Sequence, residues 1–175
     1  MDPVIELVIC YALALLWFTA AAKKTFAFEG FVITLRDYQL VPKSVMVPFS
    51  VALVGMEFCL SIGVVLPFTR SLFLLSSAGF FGIYAAAIGF NLFRGRRHID
   101  CGCLGLAQHS LSGWLVWRNL LLASLALLCL LPVQPREFLW LDGVSVIFAV
   151  SALILIYATV NRLITSAPEL ARLRN

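Results

Sequence analysis

Charged side chains are scarce in this sequence of 175 residues: Asp, Glu, Lys and Arg make up 13% of it, and hydrophobic residues make up 62%. A soluble domain carries about a quarter charged residues and about 45–50% apolar ones. Because so few charges could not cover the surface of a water-soluble globule, the composition excludes that class. The length fits one domain, and we expect a single integral membrane domain over residues 1–175.

Several other features are missing from the sequence. It shows no sustained alternation of polar and apolar residues, which argues against a β-barrel. It begins with Asp2 and Glu6 rather than with a basic segment, so we expect no cleaved signal peptide. No internal repeat is visible, which disfavours a transporter. Nothing resembles a nucleotide site or a surface for nucleic acid, so we expect neither as a partner.

Long apolar runs make up most of the chain. A membrane-spanning helix needs roughly 20 mostly apolar residues. Five runs have about this length: 3–22, 45–66, 71–93, 113–131 and 141–163. We therefore predict an all-α, polytopic transmembrane bundle with four to five spans, embedded in a lipid bilayer. Apolar and charged residues are interleaved over 23–44, which predicts a short amphipathic helix on the membrane or folded back into the bundle.

Basic residues are distributed unevenly among the loops. With five spans, eleven Lys and Arg residues fall on the side of the 94–112 loop and two, Arg70 and Arg136, fall on the other side. Basic loops stay in the cytoplasm. We therefore expect a bacterial inner-membrane protein with its N-terminus outside and its C-terminus and 94–112 loop at the cytoplasmic face. This prediction requires all five runs to cross the bilayer.

Two cysteines one residue apart, Cys101 and Cys103, lie in the polar 94–112 loop. A disulfide closed over so short a segment needs a bend, which Gly102 permits, and strained, exposed disulfides are labile. Positive charge nearby raises the fraction of reactive thiolate. Three arginines precede the pair: Arg94, Arg96 and Arg97. The pattern predicts a redox pair with candidate thiolate-stabilising arginines, although the arginines could equally serve as cytoplasmic anchors.

The same loop has an alternative interpretation as a metal site. Four of its side chains are of the kinds that bind tetrahedral zinc: His98, Cys101, Cys103 and His109. The gap between the cysteines is shorter than the usual ligand spacing, and both histidines could be solvated. We therefore predict no metal site and keep these four residues as the alternative.

Glu57 lies near the middle of the second apolar run. An ionisable group inside a membrane is costly unless it is paired or neutral, and it is a functional candidate for that reason. Glu57 could clamp two helices together by pairing with Lys23 or Lys24. It could instead line a polar pocket for a proton or a quinone. The sequence identifies no other cofactor.

Two further sets of residues are explained by structural roles alone. The remaining cysteines, Cys10, Cys59 and Cys129, fall inside apolar runs and are predicted to be small buried residues. Trp17 lies near the end of the first run, where an aromatic belt at the membrane interface is expected.

Glu57, Arg70 and the segment Asn91-Leu-Phe-Arg-Gly-Arg-Arg-His-Ile-Asp-Cys-Gly-Cys-Leu-Gly105 resemble the MauE family of methylamine-utilisation membrane proteins. The broader relatives of that family are the DoxX-like membrane proteins. The resemblance covers roughly residues 4–163. It implies a role in maturing methylamine dehydrogenase, whose periplasmic small subunit is rich in disulfides and carries a quinone made from its own tryptophans. It also implies a thioredoxin-like partner of the MauD type, with Cys101 and Cys103 as the redox pair.

Three functions remain open at this point. The chain could be a thiol–disulfide oxidoreductase component, a non-catalytic scaffold that docks a thioredoxin-like partner, or a metal handler, so its status as an enzyme is undecided. The disulfides to be made are periplasmic, whereas the loop is predicted to be cytoplasmic. An electron path through Cys59 or Cys10, a loop reached from both faces, or a span count wrong by one would each resolve this.

Overall fold

The computed structural model describes residues 2–95, 112–134 and 139–173, without the side chains of 162 and 164–173. Within these ranges six α-helices follow one another: α1 (Pro3–Phe26), α2 (Phe28–Tyr38), α3 (Met46–Val65), α4 (Arg70–Phe93), α5 (Gly113–Leu128) and α6 (Trp140–Leu173). A short 3-10 turn, Lys43–Val45, leads into α3. The described residues contain no strand. The predicted all-α bundle is confirmed.

Local sequence accounts for several helix ends. The Asp2 carboxylate accepts a hydrogen bond from the Val4 amide at 2.8 Å, and Pro3 takes the first helical position, where its missing N–H costs nothing. Helix α4 ends just before Gly95, whose φ of 73° is a left-handed conformation open to glycine. These two ends fix where α1 enters the bundle and where the chain leaves α4.

The spanning helices run in alternating directions. Helices α1 and α4 are parallel to each other. Glu6 near the start of α1 pairs with Arg70 at the start of α4, and Trp17, further along α1, donates a hydrogen bond to Ser77, further along α4. Helices α4 and α5 are antiparallel, because Ile88 near the end of α4 packs close to the start of α5. We call the end that holds the starts of α1 and α4 the N-terminal end, and the opposite end, where α4 stops and α5 begins, the loop end.

The largest apolar cluster lies between α1, α3, α4 and α5. Trp17 is at its centre, 1% exposed and stacked on Phe81 with ring centroids 4.5 Å apart. Its indole N–H donates to the Ser77 hydroxyl at 3.1 Å. The predicted interfacial position of Trp17 is therefore wrong, because this hydrogen bond satisfies the indole and lets the whole ring be buried.

Helices α3 and α4 approach each other closely at Gly63. A Cβ atom added there would lie 2.2 Å from the Phe73 ring, so only a glycine lets that ring pack against α3. Thr69, in the connecting turn, donates a hydrogen bond to the Gly63 carbonyl at 3.0 Å. The tight turn and the missing side chain together hold α3 and α4 as an antiparallel hairpin.

Four of the described helices, α1, α3, α4 and α6, are long and apolar enough to cross a membrane. Helix α5 is apolar but has 16 residues, or roughly 24 Å at 1.5 Å per residue, against a hydrocarbon core of about 30 Å. The prediction of four to five spans therefore holds, with α5 as the short member. Helix α6 lies at the edge of the bundle, since only 11% of the residues in its apolar stretch are buried.

The amphipathic helix predicted between the first two spans is α2. Its apolar residues Phe31 and Tyr38 are buried, whereas Glu29, Arg36 and Asp37 are exposed. It packs against α1 and α3. Of the two placements that the sequence allows, the structure has the one in which the helix folds back onto the bundle.

Candidate functional site

The predicted redox loop falls mostly outside the described residues. This applies to Cys101, Cys103, Arg96, Arg97, His98 and His109. The structure does describe the two anchors of the loop, which are the end of α4 and the start of α5 at Gly113. Arg94 is exposed, and its guanidinium carbon lies 4.9 Å from the centroid of the Phe90 ring. Arg94, one of the three candidate arginines, thus lies where the chain leaves α4 and enters the loop.

A buried ion pair joins α1 to α3. The Lys24 ammonium donates a hydrogen bond to Glu57 Oε1, and the two side chains are 3% and 0% exposed. The Tyr84 hydroxyl of α4 donates to the same oxygen at 2.6 Å. Lys24 also donates to the Tyr84 hydroxyl at 3.3 Å. These side chains, which we call the Lys24–Glu57–Tyr84 triad, link three spanning helices, and Lys24 is the one of the two expected lysines that reaches Glu57.

Aromatic rings shield the lysine of the triad. Its Nζ lies 5.0 Å from the ring centroids of both Phe31 and Tyr84. Phe31 belongs to α2, so the amphipathic helix covers the triad from the loop end. A desolvated cation over a ring face gains about 2 kcal/mol. This attraction offsets part of the cost of keeping the ammonium away from water.

A narrow cavity of about 40 Å³ adjoins the triad. Its polar lining consists of Thr19, Lys24, Glu57, Tyr84, Arg118, Asn119 and Tyr157. Glu57 Oε2 is buried and has no hydrogen-bond partner among the described residues. Since a water needs about 10–15 Å³ and two to four polar partners, the cavity can hydrate this oxygen. It is far smaller than the pockets of about 300–1,000 Å³ that hold cofactor-sized ligands, and the quinone interpretation of Glu57 stays a prediction.

The N-terminal end of the bundle has a second ion pair. Arg70 Nη1 donates to Glu6 Oε1 at 3.1 Å, with side chains 19% and 14% exposed. Arg70 also approaches the Val65 carbonyl at 3.5 Å. The pair therefore ties the starts of α1 and α4 to the end of α3, in a more open setting than the triad.

The described cysteines are free thiols of two kinds. Cys10 in α1 and Cys129 directly after α5 are 1% and 4% exposed, and both belong to the buried apolar cluster around Trp17. Cys59 is exposed on the outer face of α3, so its predicted burial is wrong. Helix α3 is apolar on nearly all sides, and an outward position that faces lipid suits a thiol as well as the core does.

The described residues hold no group of three or more His, Cys, Asp or Glu side chains that could bind a metal. The alternative metal site belongs to the loop, outside those residues, and stays a prediction.

The profile of the family described as methylamine utilisation protein MauE matches residues 2–132. The chain belongs to the MauE family. The matched segment contains α1 to α5 and the Cys-Gly-Cys loop, and it ends before α6. Every residue of the Lys24–Glu57–Tyr84 triad and the Cys10 and Cys129 thiols fall within it.

Curated members of the MauE family, each named methylamine utilization protein MauE, match most of the chain. The protein of Methylorubrum extorquens is 36% identical over 138 residues, which cover 77% of this chain and 74% of that relative. The protein of Methylophilus methylotrophus is 30% identical over 154 residues, or 87% and 78% of the two chains. That of Paracoccus denitrificans is 33% identical over 129 residues, or 73% and 69%. No solved structure matches the chain significantly.

Sequence reasoning missed two members of these sites. Tyr84 was not singled out, although a tyrosine in the middle of an apolar span needs a partner for its hydroxyl and therefore signals a buried polar group. The burial of Cys10 and Cys129 in one cluster could not be inferred, because it depends on how α1 and α5 are placed side by side.

Proposed function

We propose that this chain is a membrane component of methylamine utilisation that supports maturation of the methylamine dehydrogenase small subunit by thiol–disulfide exchange through Cys101 and Cys103. The observation that carries the proposal is a Cys-Gly-Cys segment between α4 and α5 in a chain of the MauE family. The names of the curated relatives supply the pathway. The spacing of Cys101 and Cys103 supports thiol–disulfide exchange as the reaction.

The exchange that we propose is balanced in thiols and disulfides. A thiolate of the pair attacks a partner disulfide, a mixed disulfide forms, and one partner sulfur leaves and takes up a proton. The second cysteine then attacks the mixed disulfide and releases the other partner thiol. The partner gains two electrons and two protons, and Cys101 and Cys103 become a disulfide; the reverse sequence oxidises a partner dithiol.

A thioredoxin-like protein of the MauD type is the proposed partner, with the small subunit as the final substrate. We place the loop at the cytoplasmic face of a bacterial inner membrane and the N-terminal end of the bundle outside, as the distribution of Lys and Arg favours. Because the small subunit is periplasmic, the proposal takes the alternative in which the loop is reached from both faces of the membrane. Arg94 lies at the start of the segment that carries both cysteines. Its positive charge supports exchange because nearby positive charge favours the reactive thiolate.

The Lys24–Glu57–Tyr84 triad has a positioning role in this proposal. It connects α1, α3 and α4 through buried, charge-assisted hydrogen bonds. Such bonds are about twice as strong as neutral ones in a dry interior. The triad thereby fixes α4, from which the loop departs, against the other helices.

The deciding experiment replaces the endogenous copy in a methylamine-using host with Cys101→Ser, Cys103→Ser and the double variant. Each strain is assayed for dehydrogenase small subunit that carries its disulfides and absorbs at the wavelength of its quinone. We expect each variant to lose mature small subunit, because one remaining thiol cannot complete the exchange. Cys59→Ser is the matched control, since it removes a thiol on the outer face of α3 and should leave maturation unchanged.

Normal amounts of mature small subunit in the double variant, at wild-type levels of the membrane protein, would refute the exchange. The scaffold function would then explain the family assignment. Copurification of the thioredoxin-like partner with the double variant would identify it.

A further inference from the structure

We propose that the cavity beside the Lys24–Glu57–Tyr84 triad is a site for bound water, and that this water bridges Glu57 Oε2 to Arg118 of α5. The bridge makes α5 a fourth helix that is held by the triad. This goes beyond the proposed function, because it concerns the core of the bundle and holds whether or not the Cys-Gly-Cys loop exchanges with a partner.

The first support is a carboxylate oxygen that requires a donor. Glu57 is fully buried, and its two oxygens differ. Oε1 accepts hydrogen bonds from Lys24 and Tyr84, whereas Oε2 has no hydrogen-bond partner among the described residues. A buried charged atom without a partner is costly, and buried water commonly satisfies such atoms. Because Glu57 lines the cavity, a guest there can supply the donor.

The second support is the size of the cavity. Its volume is about 40 Å³. A bound water needs about 10–15 Å³ of such volume, so there is room for about three waters. A short chain of waters can therefore cross the cavity and contact more than one wall.

The third support is the charge of the lining. In the described part of the chain, the lining has two cationic side chains, Lys24 and Arg118, and one carboxylate, Glu57. A further cation would be repelled by the first two, and an anion would be repelled by Glu57 Oε2. Water is neutral, donates to the carboxylate and accepts from the guanidinium. Asn119 and Tyr157 line the same cavity and bring the number of polar neighbours into the range of two to four that a buried water needs.

The fourth support is the position of Arg118 between two helices. Its Nη1 donates to Asn161 Oδ1 of α6 at 3.2 Å. A guanidinium has five N–H donors, so Arg118 can keep this bond and donate to water in the cavity as well. Helix α5 begins at Gly113, directly after the loop, and α4, which ends where the loop begins, carries Tyr84. Both helices that anchor the loop are thus joined to one carboxylate, α4 directly through Tyr84 and α5 through water.

The first test detects the water in the full-length protein in detergent micelles. X-ray pulses turn bound water into hydroxyl radicals that label the side chains beside it, and mass spectrometry of the digested protein locates the label. Phe81 lines the cavity and is 2% exposed, whereas Phe31 is 7% exposed and lies outside the lining. We expect Phe81 to be labelled severalfold more than Phe31, because the radicals form inside the bundle.

A variant that fills the cavity gives the matched comparison. Ala20 lines the cavity, so the side chain of Ala20→Leu takes the place of the water, and labelling of Phe81 should fall to the level of Phe31. Ala52→Leu, at an exposed position of α3, is the control and should leave labelling unchanged. If Phe81 is labelled no more than Phe31 in the wild-type protein, the cavity is dry and the proposal is overturned.

The second test asks whether the water couples the two charges. Denaturant midpoints are measured for Glu57→Gln, Arg118→Met and the double variant. We expect Arg118→Met to lower the midpoint less in the Glu57→Gln background than in the wild-type background. The bond from Arg118 to Asn161 is available in both backgrounds, so it does not produce this difference.

Equal losses in the two backgrounds would overturn the bridge and leave Arg118 as a link between α5 and α6. Neither test bears on exchange at the loop, which the cysteine variants address separately.

Discussion

The two ends of the bundle bury different chemistry. Toward the loop end, α1, α3 and α4 enclose a charge pair bridged by a tyrosine, whereas the N-terminal end has two buried cysteines in an apolar cluster and a partly open ion pair. Lys24 and Cys10 are 14 residues apart on α1, or roughly 21 Å along a helix. The two groups therefore act as separate sites.

This difference suggests separate roles for the two ends. A fully buried charge is costly unless its partner stays in place, which makes the Lys24–Glu57–Tyr84 triad suited to holding helices in register. Stability should therefore depend more on the triad than on the ion pair at the N-terminal end.

The largest expected effect comes from breaking the buried ion pair. Glu57→Ala leaves the Lys24 ammonium buried without its carboxylate, and such losses cost about 3–5 kcal/mol. The free energy of unfolding, measured by denaturant titration in detergent micelles, should fall by this amount. The matched control changes Lys24 and Glu57 together to Met; the double variant should be much closer to wild type. If Glu57→Ala unfolds like wild type, the pair does not hold the helices.

A smaller effect is expected when only the tyrosine bridge is removed. Tyr84→Phe deletes the hydroxyl that donates to Glu57 Oε1 at 2.6 Å, and hydrogen bonds to charged groups contribute about 1.5–3 kcal/mol. The same unfolding titration should show a loss in this range. Tyr11→Phe, at an exposed position of α1, provides the control and should change nothing. Equal losses of unfolding free energy in both variants would mean that the loss in Tyr84→Phe does not come from the hydrogen bond to Glu57.

The smallest effect is expected at the open ion pair of the N-terminal end. Glu6→Gln removes a carboxylate 3.1 Å from Arg70, and exposed or partly exposed pairs contribute about 0–1 kcal/mol. We expect a loss within that range, and none for Glu29→Gln on the exposed face of α2. A loss as large as that of Glu57→Ala would contradict the contrast between the two ends.

Much of the architecture could be predicted from apolar run length, because a bilayer imposes both helix and span length. Pairing between Glu57 and Lys24 could be anticipated as well, since an intramembrane carboxylate needs a partner and the lysines stand at the end of the neighbouring span. The outward position of Cys59 could not, because a helix that is apolar on nearly all sides has no periodicity to mark its buried face. Cys10 and Cys129 belong to one buried cluster although they are far apart in sequence, and this depends on tertiary packing alone.

The most direct test of the central claim, exchange at the Cys-Gly-Cys loop, is to trap its mixed disulfide in cells. Strains with Cys101→Ser, Cys103→Ser or both changes are quenched with acid and N-ethylmaleimide, and the membrane protein is followed on non-reducing and reducing gels. The account predicts that one single variant accumulates an adduct with the thioredoxin-like partner that disappears on reduction, and that the double variant has none. Absence of an adduct from both single variants, at wild-type levels of chain and partner, would contradict it.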